Sequence, residues 1–91
     1  MIYKVKYSKE FKKSIKKLKN DSTRIELIKS IIARLANNET LEAKYKDHKL
    51  KGEYDGFREC HIEPDLLLIY KKEEKDLLLL CLALGTHSKL F

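Results

Sequence analysis

The chain has 91 residues, a net charge of +6, 43% hydrophobic and 37% charged residues, a balance too apolar for a disordered segment and too charged for a membrane-embedded one. Three glycines and one proline exclude collagen-like, linker and low-complexity classes, and the length predicts one domain over residues 1–91 with a thin core. No apolar stretch follows the charges at the start of the chain, and the longest apolar runs, Leu66–Tyr70 and Leu77–Leu84, fall far short of the ~20 residues of a spanning helix. With two cysteines only, Cys60 and Cys81, no disulfide framework is expected, and the reading is a cytoplasmic protein with no membrane partner.

Charge is uneven. Residues 1–51 carry fifteen Lys/Arg against six Asp/Glu, and residues 52–91 carry five against eight. A basic half concentrates polyanions, nucleic acid above all, but lysines predict phosphate contact and not sequence preference. A solvated helix face explains the same lysines equally well.

In chain order, Tyr3, Val5 and Tyr7 alternate with Lys4 and Lys6, a short amphipathic strand. Ser8 can cap a helix whose apolar stripe is Phe11, Ile15 and Leu18. After the break at Asn20-Asp21-Ser22, a second helix carries Ile25, Ile28, Ile32 and Leu35, widened by Leu27 and Ile31. Thr23 and Glu26 have capping-box spacing, with Asp21 and Ser22 as alternative caps. Two adjacent amphipathic helices make a helical hairpin that must pack on something else.

Residues 39–56 are polar and read as irregular, ending in the turn Tyr54-Asp55-Gly56. Three strands follow: Phe57–Ile62, stopped at Pro64-Asp65; Leu66–Tyr70; and Leu77–Leu84, after a charged tip at residues 71–76. Leucine runs fit helix or strand by periodicity, and their length between turns favours strand. Gly85-Thr86 ends the last, and residues 87–91 form a short polar tail. The order strand-helix-helix-strand-strand-strand predicts an α+β fold, a helical hairpin on a mainly antiparallel four-stranded sheet. Cys60 and His61 are strand neighbours and point to opposite faces; both cysteines are expected as buried thiols.

All three histidines, His48, His61 and His87, fall at loop, strand-end or tail positions. Antiparallel pairing would bring His61, Asp65 and His87 to one sheet edge, although scattered histidines are more often surface residues. Their spacings match no metal motif, and there is no phosphate loop, dinucleotide fingerprint or GxSxG. RNA cleavage suits a basic, histidine-bearing, cofactor-free chain. The 2′-hydroxyl is an internal nucleophile, so the protein need only move two protons and stabilise the phosphorane.

Three segments carry a resemblance: Tyr45-Lys46-Asp47-His48-Lys49-Leu50-Lys51-Gly52; Phe57-Arg58-Glu59-Cys60-His61-Ile62-Glu63-Pro64-Asp65 with Leu68-Ile69-Tyr70; and Gly85-Thr86-His87-Ser88-Lys89-Leu90-Phe91. In this order and at these intervals they resemble the YafQ group of RelE-type bacterial toxins, of the RelE/ParE superfamily. The resemblance implies a RelE-like fold and the toxin of a type II toxin–antitoxin pair, a metal-independent endoribonuclease that cuts mRNA in the ribosomal decoding site and inhibits translation. It implies a cognate antitoxin as partner, with operator DNA reached only through the antitoxin, and no cofactor.

Carried over by residue, the catalytic set is His48, His61, Asp65 and His87. His87 would be the general acid, Asp65 or His48 the base, and His61 an orienting or charge-stabilising group. Lys51, Arg58, position 83 and Phe91 would contact substrate, Phe91 by stacking on a base or by anchoring the tail. Two positions depart from the family pattern. Leu66 stands where a relative has tryptophan, removing one stacking contact. Ala83 stands where the family has an arginine able to neutralise the phosphorane, and such a loss costs roughly a hundredfold or more in rate. Ala83 is either native to a weakened toxin or a substitution that lets cells tolerate the protein. The competing functions are a ParE-like toxin acting on a protein target, in which this histidine set is generally missing, and a nucleic-acid-binding module without RNA cleavage.

Overall fold

The structure, a computed structural model, describes residues 2–91, so the single domain expected over residues 1–91 includes one position, Met1, outside the described residues. Strand β1 (Lys4–Tyr7) leads at once into helix α1 (Lys9–Lys17). The backbone at Ser8 is extended, and its Oγ accepts the Phe11 N–H at 3.0 Å. The same hydroxyl donates to the Leu82 carbonyl, so one side chain starts the helix and pins it to a distant strand. Phe11 is buried, and Ile15 and Leu18 pack beside it, while the lysines around them face solvent. Asp21 starts α2 (Ser22–Ala36) by accepting the Arg24 N–H at 3.1 Å. Of the three caps left open by the sequence, the aspartate fills the position. The buried stripe of α2 is Ile28, Ile31, Ile32, Leu35 and Ala36.

The sheet contains β2 (His48–Lys49), β3 (Arg58–Glu63), β4 (Leu66–Glu73) and β5 (Leu78–Gly85), in the order β1-β5-β4-β3-β2. β1 runs parallel to β5 and every other pair is antiparallel. The expected four-stranded sheet is therefore a mixed sheet of five strands. The missed strand, β2, is two exposed residues pairing His48 with Glu59 and Lys49 with Arg58. Two residues cannot show an alternation, and a strand held only by its backbone ladder leaves no hydrophobic pattern.

Two further boundaries move. The charged tip expected at residues 71–76 is shorter, because Lys71, Lys72 and Glu73 stay in β4 opposite Leu80, Leu79 and Leu78. Backbone pairing there is indifferent to side-chain charge. The tail is not merely polar: Thr86 Oγ1 accepts the Lys89 N–H at 3.3 Å and starts one helical turn, α3 (His87–Leu90).

The two sheet faces differ. Cys60, Ile62, Leu68, Tyr70, Leu79, Cys81 and Leu84 join the apolar side chains of α1 and α2 in one core. Cys81 and Leu84 are three residues apart, which strict alternation forbids on one face. A register shift between Ile69 and Tyr70 absorbs the extra residue and leaves Ala83 opposite Ile69, the geometry of a β-bulge. Leu67 and Ile69 are also fully buried but lie outside that core, on the face turned from the helices. Both cysteines are fully buried, as expected, and burial pushes each thiol up to about 12.

Candidate functional site

Residues directly opposed in an antiparallel pair point to the same face. His48 opposes Glu59, Glu59 opposes Ile69, and Ile69 opposes Ala83. These four make one transverse row across β2, β3, β4 and β5, on the face turned away from α1 and α2. The adjacent row is His61, Leu67 and Gly85. Asp65 precedes Leu67 by two residues and His87 follows Gly85 by two, so both lie at the end of the sheet that this second row reaches.

Glu59 organises the histidines. It is a buried charged residue, 5% exposed, and its Oε1 lies 3.6 Å from His48 Nε2 and 3.4 Å from His61 Nε2. The opposite nitrogen of each ring meets a backbone carbonyl. His48 Nδ1 is 2.6 Å from the Lys46 oxygen, and His61 Nδ1 is 3.3 Å from the Pro64 oxygen. Glu59 is absent from the site residues expected from the sequence. The signal was present, since strand alternation with Cys60 buried puts Glu59 and His61 together on the opposite face.

The second group joins the turn after β3 to the tail. The Asp65 carboxylate accepts the His87 backbone N–H at 3.4 Å. Phe91, half exposed, tilts against the His87 ring at 5.1 Å between centroids and meets Tyr54 edge-on at 5.5 Å. Tyr54 lies in the short 3-10 turn Gly52–Tyr54 and is a second residue missed from sequence. Gly52 begins that turn at φ 66°, where side chains are disfavoured. Lys51, exposed, immediately precedes it.

Other expected residues stand apart. Arg58 opposes Tyr70 on the helix-covered face. Its Nε donates to Asp47 Oδ1 at 3.2 Å and to the Tyr70 hydroxyl at 3.3 Å, and that hydroxyl donates to the same Asp47 oxygen at 2.6 Å. The structure thus commits Arg58 to an internal network, on the side opposite His48 and His61. Leu66 packs against the main core, also away from the candidate row. Lys71, two residues beyond Ile69, is a cation of the site face that the sequence reading passed over. Its Nζ pairs with Glu73 at 3.1 Å and sits 5.4 Å from the Phe57 ring centre. Among the described residues no group of three or more His, Cys, Asp or Glu side chains is placed to hold a metal ion.

The family model for the bacterial toxin of type II toxin–antitoxin systems, YafQ, matches residues 3–91. The mRNA interferase toxin YafQ of Escherichia coli K12 is 39% identical over 88 residues, covering 96% of this chain and 94% of that protein. A metal-bound toxin from Helicobacter pylori is 41% identical with a TM-score of 0.89 over the full length of both chains. The E. coli DinJ–YafQ complex matches at 37% identity and a TM-score of 0.85, over 98% of each chain. Fold, segments and relatives define a toxin of a type II toxin–antitoxin system. The chain belongs to the YafQ toxin family.

Proposed function

We propose that this chain is a ribosome-dependent mRNA endonuclease that cuts by acid–base catalysis on the RNA 2′-hydroxyl and so arrests translation. The observation that supports it is the gathering of His48 and His61 around one carboxylate, on the sheet face whose end holds Asp65, His87 and Phe91. The 2′-oxygen attacks phosphorus as its proton passes to a base, Asp65 or His48. The P–O5′ bond breaks and the leaving oxygen takes a proton from His87. The products are a 2′,3′-cyclic phosphate and a 5′-hydroxyl, and no step requires a metal. Phe91, held between His87 and Tyr54, presents an aromatic face on which a base can stack, and Lys51 offers a phosphate contact beside it.

Position 83 weakens the enzyme in this proposal. Ala83 lies in the row of His48 and Glu59, where a guanidinium would add charge to a developing phosphorane. The partners are a cognate antitoxin, in keeping with the DinJ–YafQ complexes of E. coli, and the translating ribosome with its mRNA. Operator DNA is reached through the antitoxin, and the compartment is the cytoplasm.

Primer extension on a reporter mRNA after induction tests this reading. In-frame cuts are expected, lost in His87→Ala and increased by roughly a hundredfold in Ala83→Arg. Intact transcripts alongside DNA damage would replace it with a ParE-like activity.

A further inference from the structure

At the sheet end, the turn after β3 and the start of the tail form one wall of a cavity of about 540 Å³, within the roughly 300–1,000 Å³ typical of ligand sites. The helical hairpin forms the other wall, and Ser14, Lys17 and Arg24 stand across from Glu63, Asp65 and Lys89. Lys17 comes from the last turn of α1 and Lys89 from α3. The Lys89 stem passes over Gly85, its Cδ 3.6 Å from where a Cβ would stand on that residue. The Lys17 amino group lies near enough that hydrogen bonding, followed by like charge, holds Lys89 below its ordinary value. The carboxylates of the cavity are already engaged: Glu63 pairs with Arg24 at 2.7 Å, and Asp65 accepts the His87 N–H at 3.4 Å. Among the described residues neither Lys17 nor Lys89 forms an ion pair. Two ammonium groups brought together without a counter-charge repel each other, and an anion between them turns that repulsion into two attractions. We propose that Lys17 and Lys89 form a phosphate site, which takes a phosphodiester of an RNA strand next to the cleavage site.

The side chains select the anion. A carboxylate is gripped best by the planar fork of a guanidinium, whereas the compact ammonium of lysine suits a phosphate. The guanidinium here, Arg24, is held by Glu63 and by Asp21 at 3.6 Å. Two lysines remain, one for each non-bridging oxygen of a phosphodiester. The cavity also shares Asp65 with the proposed cleavage site, so a strand whose scissile phosphate lies at Asp65 and His87 continues into it along the same surface. The assignment to RNA rests on the nuclease reading and deepens it. A second grip on the strand holds the reacting bond in place and reads no base. Message and ribosomal RNA present the same phosphodiester, and binding measurements separate them.

Fluorescence anisotropy with a single-stranded 2′-O-methyl RNA, which has no free 2′-hydroxyl and is not cut, measures binding apart from cleavage. Lys17→Met combined with Lys89→Met keeps both apolar stems. It should weaken binding roughly tenfold and flatten the slope of log affinity against log salt by about 0.7, the share of one phosphate on a single strand. The control pair is Lys13→Met with Lys29→Met, two exposed lysines each 3.9 Å from a glutamate one turn earlier. It removes the same charge elsewhere and should change affinity by about twofold or less. Co-sedimentation with ribosomes is the second arm. Loss of binding to the oligonucleotide assigns the site to the message, and loss to ribosomes alone assigns it to ribosomal RNA. Unchanged affinity in both arms would overturn the site, as would an equal loss in the control pair. Lost binding of polyglutamate with RNA binding retained would give the cavity to an acidic protein segment instead. In urea the free Lys17→Met, Lys89→Met chain should be at least as stable as the unchanged protein, because a repulsion is gone; a lower midpoint would make the lysines structural and overturn the proposal. Lysine-dependent binding in a chain that cuts no RNA would refute the nuclease and leave the phosphate site standing, and cuts with lysine-independent binding would do the reverse.

Discussion

Tyr70 illustrates how a single side chain joins the two halves of the sheet. Its ring lies in the core, and its hydroxyl reaches Asp47 in the segment before β2 while accepting from Arg58. Burial, followed by the hydrogen bond to Asp47, pushes the phenol well above its ordinary value, so it stays a donor throughout the accessible pH range. Tyr70→Phe keeps the ring and removes the donor. It should cost about 1–3 kcal/mol, because Asp47 loses its shortest partner in a half-buried setting, and urea denaturation at neutral pH would read this as a lower midpoint at unchanged slope. At this scale sequence legibility was uneven. Strand pairing offered His61, Asp65 and His87 for one sheet edge, while His48 joined the candidate set only through the family resemblance. Glu59 stayed unmarked, because a glutamate in a chain with fourteen Asp and Glu residues looks like one more solvated charge until its strand partners are known. Arg58 looked available for substrate, and only the register shows that it is turned to the other face.

Among the elements, α1 depends on Ser8 twice over, through its cap to Phe11 and through its bond to the Leu82 carbonyl. Ser8→Ala should cost about 1–2 kcal/mol, a fall in melting temperature of roughly 4–8 °C for each kcal/mol in a domain of this size. Ser14→Ala is the matched control. Its exposed hydroxyl only donates back to the Glu10 carbonyl, and its removal should change stability by no more than about 0.5 kcal/mol. Helices and long strands were readable because their hydrophobic periods are long enough to count. β2 and α3 were not, since the first is two residues long and the second a single turn. Both are held by partners distant in sequence, Glu59 and Arg58 for β2 and Asp65 for α3. The elements that place His48 and His87 are thus the ones with the weakest local signal.

For the whole molecule, the two cysteines report on the integrity of the sheet. Cys60 and Cys81 sit on β3 and β5 beneath the helices, and each thiol is raised to about 12 by burial. The thiolate is the reactive form, so the folded protein should resist iodoacetamide at about pH 8, where an ordinary thiol is partly ionised. Both sites should label in denaturant, and mass spectrometry would separate the two states. Rapid labelling of either cysteine under native conditions would contradict the packing of the central strands. The fold class was legible from element order, as was the burial of both thiols. The parallel pairing of β1 with β5 was not, because a four-residue strand carries no mark of where along a later strand it will dock.

That pairing has a consequence for the order of assembly. Lys4 meets Leu78 and Tyr7 meets Cys81, so the first strand waits for a partner more than seventy positions downstream, a closure that contact-order arguments place among the slow ones. Position 83 lies on the same late strand, and His87 beyond it. A chain still emerging from the ribosome therefore holds its first histidines without the strand that completes their row. The site face is thus complete only once the last strand has left the exit tunnel and is free to fold.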